Sequence, residues 1–282
     1  MKYCLRSNQR FNYLQKADEI KVPYDDRASI FKLIERYPGK TIILEIPNRI
    51  DITDIDWTEM NNNKILTQDN FICCVSSYEM GIECGNQDIK FYYGYPINSF
   101  YELQAAANLG VCYVRLAPPL LMSLDKVKKF NIPVRAVPNV AYQQYLPFGD
   151  GVCGGWIRPE DTKLYEEYID VYEFEDCDIN KEQALYRIYA EKQAWPGQMG
   201  MLFTNFNYGT VLNRMVPSDL AEKRIKCRQR CQTNNGCHLC HRALDLANPE
   251  IFKSLKYENN ELNTDVLAEA FDYIWFLIKI ML

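Results

Sequence analysis

The chain alternates between short runs of β-branched or aromatic residues and longer amphipathic stretches, from its first residues to about residue 193. The short runs are bounded by Gly, Pro, Asn or Asp, which predicts buried strands, and the amphipathic stretches predict helices. This alternation is the pattern of a mainly parallel sheet with crossover helices, an α/β fold. The predicted strands are Lys2–Leu5, Glu19–Tyr24, Thr41–Ile46, Phe71–Ser76, Ile89–Tyr93, Val111–Leu116, Val134–Val137, Val152–Ile157 and Asp170–Phe174.

Capping and helix-breaking residues mark the ends of four predicted helices. Asn98 or Ser99 is expected to cap one of them, Ser123 caps another, and Pro159 occupies the first turn of a third. The predicted helices are the run that follows Asp25-Asp26 and ends at Tyr37, and the segments Phe100 to Leu109, Leu124 to Phe130 and Pro159 to Tyr168.

Nine predicted strands are close in number to the eight of a closed barrel, and between Val111 and Phe174 they recur about every 20 to 25 residues. We therefore expect a (β/α)8-like TIM barrel, complete or slightly irregular. The alternative is a doubly wound open sheet, which usually begins with a glycine-rich phosphate turn. No G-x-G-x-x-G directly follows a predicted strand, and neither a G-x-x-x-x-G-K-[ST] loop nor a G-x-S-x-G elbow occurs.

The segment Gly94 to Pro119, GYPINSFYELQAAANLGVCYVRLAPP, contains a predicted helix followed by Leu-Gly-Val and a predicted strand. It resembles the repeating unit of TIM-barrel enzymes and is similar to barrels of the U32 peptidase-like group. Several members of that group carry iron–sulfur clusters and act in RNA or quinone modification. Their cysteines are widely separated in sequence, unlike those of this chain. The resemblance therefore concerns the fold, and no residue role is carried over.

The pattern changes after about Lys192, where a segment rich in Gly, Asn and aromatic residues lacks periodicity. We place a domain boundary there: a barrel over residues 1–195, then a loop, a cysteine-rich module and C-terminal helices packed on the barrel over residues 196–282. The apolar run Val266–Leu282 contains Glu269, Asp272 and Lys279, and it is too short and too charged for a membrane span. It predicts a packing helix or a helix that binds a protein partner.

Four cysteines lie within fourteen residues near the C-terminus, in the spacing Cys-x3-Cys-x5-Cys-x2-Cys. A tight Cys-x2-Cys turn presents two sulfurs on one side, and four thiolates complete the tetrahedral shell of a structural Zn²⁺. A 4Fe-4S cluster also takes four thiolates and is the alternative, followed by thiols that are unliganded or disulfide-bonded. His238 and His241 are substitute ligands or neighbours of the site. The expected metal ligands are Cys227, Cys231, Cys237 and Cys240.

Several of the eleven cysteines fall within apolar runs that are predicted to be strands. Such cysteines are typical of small, buried, reduced residues in proteins of a reducing compartment. Met1 to Arg10 lacks the apolar core of a secretory signal. We therefore expect a cytoplasmic protein. Its formal net charge of −5 argues against binding of polyanions by the molecule as a whole.

Around the four cysteines the charge is reversed: residues 223–242 contain six Lys or Arg and no acid. Such a patch is suited to phosphate contacts, so we expect RNA or DNA to bind there through Lys226, Arg228 and Arg230. The alternative is that these charges only keep a small metal module soluble.

Strands of a parallel barrel are buried on both faces, so charged residues within them require an explanation. Active sites of such barrels lie at the C-terminal ends of the strands. There, carboxylates suit acid–base catalysis and arginines bind anionic groups. The alternative is structural ion pairs. The candidate catalytic residues are Glu45, Arg115, Arg158 and Glu173, and the candidate substrate-binding residues are Arg135 and Asn139.

Two functional hypotheses follow. The first is a cytosolic (β/α)-barrel enzyme with a structural zinc site, which acts on an anionic substrate such as a nucleic acid or nucleotide; an iron–sulfur barrel enzyme is a variant of it. The second is a non-enzymatic scaffold or assembly protein, of a kind found in viruses, whose zinc-stabilised C-terminal region binds partners. No histidine lies in the predicted barrel, which excludes a Ser-His or Cys-His nucleophile there.

Overall fold

The computed structural model describes residues 1–9, 11–50, 55, 57–58, 69–140, 156–204 and 211–225. Its strands are β1 Lys2–Arg6, β2 Glu19–Pro23, β3 Thr41–Ile46, β4 Phe71–Val75, β5 Phe91–Tyr93, β6 Val114–Arg115, β7 Val134–Ala136 and β8 Val171–Glu173. Its helices are α1 Phe11–Lys16, α2 Ser29–Arg36, α3 Tyr78–Asn86, α4 Phe100–Asn108, α5 Pro118–Leu121, α6 Leu124–Val127, α7 Thr162–Tyr165, α8 Ile179–Glu191, α9 Met199–Leu202 and α10 Leu220–Ile225.

The eight strands form one parallel sheet in the order β5-β4-β3-β2-β1-β8-β7-β6, so each strand lies beside its neighbour in sequence and β1 pairs with β8. The two ends of this order, β5 and β6, approach each other through a parallel bridge between Tyr92 and Tyr113. The sheet is therefore nearly closed, and with its alternating helices it is consistent with a (β/α)8 barrel. A doubly wound sheet reverses its strand order midway, so that alternative is wrong.

Eight of the nine predicted strands coincide with observed strands. In the ninth prediction, Trp156 and Ile157 are not in a strand, and residues 152–155 lie outside the described part. The predicted helix from Leu124 is divided into α6 and a 3-10 turn, Lys128–Phe130. That turn ends at Asn131, whose φ of 53° stops the helix before Pro133.

Side-chain caps fix where the longer helices begin. Ser99 accepts a hydrogen bond from the backbone N–H of Glu102, and the Glu102 carboxylate accepts one from the N–H of Asn98. This reciprocal pair is a capping box and identifies Ser99 as the cap of α4. Asp178 likewise accepts a hydrogen bond from the N–H of Lys181 at the start of α8.

Contacts divide the chain into two compact units. The first, here called the barrel unit, comprises residues 1–120, 124–137 and 166–173 and contains all eight strands. The second unit comprises residues 121–123, 138–165 and 174–282. The predicted division near residue 195 stays a prediction. Among the helices of the described residues, none has the length and apolar character needed to cross a membrane.

Alternate residues of the strands point into the barrel or out toward the helices. An apolar cluster in the barrel unit contains Cys4, Ile43, Ile72, Cys74, Tyr92 and Val171. On β2 and β3, Ile20, Val22, Ile42 and Leu44 are also completely buried. The strands are therefore buried on both faces, as the run of β-branched residues predicts.

Candidate active site

Six charged residues on five strands form one network in the barrel unit. They divide into two groups along the strands. The mouth group consists of Glu45, Arg115 and Glu173, which lie at or next to the C-terminal ends of their strands, and of Lys21, the middle residue of β2. The floor group consists of Glu19, the first residue of β2, and Arg135, the middle residue of β7, together with Tyr92 in the middle of β5 and Tyr113 directly before β6.

In the mouth group, Lys21 lies between two carboxylates. Its Nζ is 3.2 Å from Oε1 of Glu45 and 3.3 Å from Oε2 of Glu173. On the other side of Glu173, the Nε of Arg115 is 3.3 Å from Oε1. Arg115 also donates a hydrogen bond through Nη1 to the carbonyl oxygen of Gly94. Glu173 is therefore held by cations from two directions, whereas Glu45 approaches Lys21 from the edge of the group.

In the floor group, Arg135 donates to one carboxylate oxygen of Glu19 through both terminal nitrogens, with an Nη1 to Oε2 distance of 2.6 Å. Its guanidinium carbon lies 4.7 Å from the ring centroid of Tyr92 and 4.8 Å from that of Tyr113. Both distances are typical of cation–π contacts. The Tyr113 hydroxyl donates a hydrogen bond of 3.1 Å to Oε1 of Glu19. Arg135 is completely buried, so neutralisation by these partners is what makes its charge tolerable.

Burial and charge act in opposite directions on the mouth group. Burial alone would raise the pKa of Glu173, but Lys21, Arg115 and Arg135 lower it to about 2. Burial would lower the pKa of Lys21, but the Glu173 carboxylate, with a contribution from Glu45, raises it well above its ordinary value. At neutral pH, therefore, Lys21 is an ammonium and Glu173 a carboxylate.

The members of the mouth group differ in exposure. The side chain of Glu45 is 44% exposed, whereas those of Lys21, Arg115 and Glu173 are buried. Arg6, the last residue of β1, pairs in register with Lys21, so the two side chains leave the sheet on the same face. Because Glu45 is the exposed member of the mouth group, solvent reaches the network at Glu45.

The structure brings together three of the four predicted catalytic residues: Glu45, Arg115 and Glu173 belong to the mouth group, linked through Lys21 and Glu173. The fourth, Arg158, lies in the second unit. There its Nε and Nη2 donate to the two carboxylate oxygens of Asp161, at 2.6 and 2.9 Å. The catalytic roles stay predictions, because geometry alone assigns no reaction.

The two predicted substrate-binding residues within the described part are both completely buried. Arg135 is enclosed in the floor group. Asn139 lies in the second unit, where its side-chain amide donates to the carbonyl oxygen of Glu175 at 2.7 Å and accepts from the N–H of the same residue at 3.2 Å. Such a bridge fixes the backbone after β8.

Lys21 and Glu19 were not predicted as site residues, although they connect the network. Their signal is the segment Glu19-Ile20-Lys21-Val22, in which charges recur with the period of two that places both on one face of a strand. Two charges of opposite sign on one face of a buried strand require partners on other strands. Only the folded barrel identifies those partners.

The predicted metal ligands Cys227, Cys231, Cys237 and Cys240 lie outside the described residues, as do Lys226, Arg228 and Arg230. Within the described ranges, no three His, Cys, Asp or Glu side chains are grouped so as to hold a metal ion. The expectations of zinc and of nucleic-acid contact therefore stay predictions.

Comparison with known proteins gives no independent assignment. No protein-family model matches this chain, and no curated protein matches its sequence. The fold and the mouth group are therefore the basis for a functional proposal.

Proposed function

We propose that this protein is a cytoplasmic (β/α)-barrel enzyme that acts on an anionic substrate at the mouth of its barrel. The observation that carries the proposal is the position of Lys21 between the buried Glu173 and the half-exposed Glu45. Active sites of such barrels lie at the C-terminal strand ends. The class of anionic substrate that we expect is a nucleotide or nucleic acid.

Each member of the mouth group has a proposed role. Lys21 and Arg115 provide positive charge for the substrate's anionic group. Glu45 transfers protons, because it is the solvent-accessible carboxylate of the group. Glu173 fixes both cations, and Arg135, 4.0 Å from Glu173, is a positioning residue. The buried floor group keeps this constellation rigid.

The proposal includes a structural Zn²⁺ bound by Cys227, Cys231, Cys237 and Cys240, which stabilises the C-terminal region. A 4Fe-4S cluster at the same four thiolates is the alternative cofactor. Lys226, Arg228 and Arg230 next to it would bind phosphates of RNA or DNA. The run Val266–Leu282 would contact a protein partner or pack within the protein.

One observation favours the second candidate function, a non-enzymatic scaffold or assembly protein. The mouth and floor groups together contain three cations and three carboxylates, Lys21, Arg115 and Arg135 against Glu19, Glu45 and Glu173. A network that is neutral and internally paired is what a purely structural barrel interior requires. Under this alternative the mouth group binds no ligand.

The experiment compares thermal unfolding of the wild-type protein and of Arg115→Met with nucleoside 5′-monophosphates and with inorganic phosphate. The enzyme proposal expects at least one of these anions to raise the midpoint for the wild type and to leave that of Arg115→Met unchanged. Arg187→Met, which removes an exposed arginine of α8, is the control and should respond as the wild type does. An unchanged wild-type midpoint with every anion supports the scaffold function instead.

A further inference from the structure

We propose that Glu45 occupies the place of the substrate's anionic group, and that a small oxyanion, a phosphate or carboxylate, displaces it from Lys21 when the site is filled. The inference rests on the proposed function and adds what the site recognises and how it is kept closed before the substrate arrives. It is carried by three features of the mouth group: unequal anchoring, charge balance and the position of a second cation.

The two carboxylates that contact Lys21 are anchored very differently. Glu173 is 4% exposed and has Arg115 at 3.3 Å and Arg135 at 4.0 Å in addition to Lys21. Glu45 is 44% exposed and, within the described residues, Lys21 is the cation that it contacts. Rotation of the Glu45 side chain toward solvent thus breaks a single half-exposed ion pair, and such pairs contribute little to stability.

Charge balance determines what must happen when Glu45 leaves. Without Glu45, the buried network has three cations against the carboxylates of Glu19 and Glu173. Lys21 keeps Glu173 at 3.3 Å, but the network then contains one cation more than it contains carboxylates. An anion that arrives at Lys21 restores this balance, so the site favours an anionic ligand over a neutral one.

A second cation, Arg6, lies on the strand next to Lys21. Arg6 pairs in register with Lys21 at the end of β1, and Glu45 pairs in register with Pro23, the last residue of β2. The anion that replaces Glu45 thus arrives at the ends of β1, β2 and β3, with Arg6 and Lys21 on the same face of the sheet. Two cations on one side suit a phosphate better than a singly charged carboxylate.

Because Glu45 competes with the ligand, its neutralisation should strengthen binding. Glu45→Gln keeps the shape of the side chain and removes the charge. The dissociation constant for inorganic phosphate should fall by up to about five-fold, the factor expected when an opposing ion pair of ordinary surface strength is lost. Lys21→Met should abolish binding.

The experiment is a calorimetric titration of the full-length protein with inorganic phosphate and, separately, with acetate, at low ionic strength. Glu167→Gln is the matched control, because Glu167 pairs with Lys128 at the same 3.2 Å but is exposed and outside the network. It should bind phosphate as the wild type does. Tighter binding of phosphate than of acetate by Glu45→Gln would assign the ligand as a phosphate, and the reverse order would assign a carboxylate.

Two outcomes overturn the inference and are distinguishable. If the wild type and Glu45→Gln bind phosphate equally well and both depend on Lys21, displacement is wrong while the proposed anion site stands. If neither protein binds phosphate or acetate, both proposals fail. Should Lys21→Met not fold, the ¹⁵Nζ resonance of Lys21 in Glu45→Gln reports the site directly, and an unchanged resonance at saturating phosphate excludes contact.

Discussion

Tyr113 donates a hydrogen bond to Glu19 although 94 positions of sequence separate the two residues. The bond joins β2 to the segment that leads into β6, on opposite parts of the strand order. Arg135 of β7 binds the same carboxylate and lies against the Tyr113 ring. The floor group therefore connects strands that share no backbone hydrogen bonds, and it does so near the bridge that brings β5 and β6 together.

Removal of one partner of the Arg135–Glu19 pair should strongly destabilise the protein. Arg135→Met leaves Glu19 buried without its cation, and loss of one partner of a buried pair costs about 3–5 kcal/mol. We expect the free energy of unfolding in urea to fall by that amount. The double variant Arg135→Met with Glu19→Gln removes both charges and should recover part of the loss. Equal stabilities of the single variant and the wild type would show that the pair contributes nothing.

Two glycines of α3 allow a matched test of packing. A Cβ at Gly81 would overlap the Tyr93 hydroxyl and lie 2.8 Å from Cε2 of Phe91, whereas a Cβ at Gly85 meets nothing within 4 Å. Gly81→Ala should therefore destabilise the protein by about 1–3 kcal/mol through overpacking. Gly85→Ala should stabilise it by up to about 1 kcal/mol through helix propensity. Urea unfolding of both variants measures these changes. Changes of the same sign in the two variants would contradict the packing described for α3.

Acid should weaken the protein through Glu173. Its pKa is about 2 in the folded protein and about 4.3 in an unfolded chain. Because the pKa of Glu173 is lower in the folded protein than in the unfolded chain, the ionised carboxylate stabilises the fold. This stabilisation is fully present above the unfolded pKa and is lost as the pH falls toward 2. Linkage gives roughly 3 kcal/mol for this group. We expect the free energy of unfolding to depend less on pH in Glu173→Gln than in the wild type between the unfolded and folded pKa values. Parallel pH profiles of the two proteins would show that Glu173 does not have this low pKa.

The metal prediction concerns the four clustered cysteines. Cys237→Ser or Cys240→Ser should each remove about one equivalent of metal and lower the melting temperature, because binding energy at a structural site is folding energy. Cys177→Ser, a half-buried cysteine outside that cluster, should leave the metal content unchanged. Elemental analysis of anaerobically purified protein tests this. A brown absorbance band would identify an iron–sulfur cluster, and full metal content in both cluster variants would exclude these ligands.

The basic patch has a separate test. Neutralising Lys226, Arg228 and Arg230 together should abolish binding of single-stranded RNA or DNA, and the wild-type affinity should fall steeply with salt as counterions are released. The control neutralises three exposed lysines elsewhere, Lys16, Lys32 and Lys163, and matches the change in net charge. Fluorescence anisotropy measures the nucleic-acid affinity of the basic-patch variant and of the control variant. No wild-type binding at about 50 mM salt leaves only the solubility interpretation.

The strands were predictable because their signal is local. Runs such as Thr41–Ile46 and Phe71–Val75 are buried on both faces, so nearly every residue in them is apolar and the strand is visible without its neighbours. Capping residues are equally local, which is why Ser99 was among the two expected for α4. The ninth prediction, Val152–Ile157, contains Gly154 and Gly155 among its apolar residues, and apolar composition alone does not establish a strand.

The site was predictable only in part, because its partners are distant in sequence. Arg115 and Glu173 were expected to meet, since both end a strand of a closed sheet. Arg158 has the same local appearance, but the described residues directly before it, Trp156 and Ile157, are not in a strand, and Arg158 binds Asp161, three residues away. Lys21 was missed because nothing in its own segment indicates that Glu45 and Glu173 lie on either side of it.

The order of segments within the barrel unit has a consequence for synthesis of the chain. Residues 138–165 belong to the second unit, yet they precede β8, which pairs with both β1 and β7. A nascent chain that has made the first seven strands thus exposes an unpaired edge on β1, and Lys21 and Arg115 have no Glu173. Loop closure between β1 and β8 spans nearly the whole barrel and is a slow event. Until the ribosome passes residue 173, β1 has no β8 partner, and the barrel stays open at its first strand.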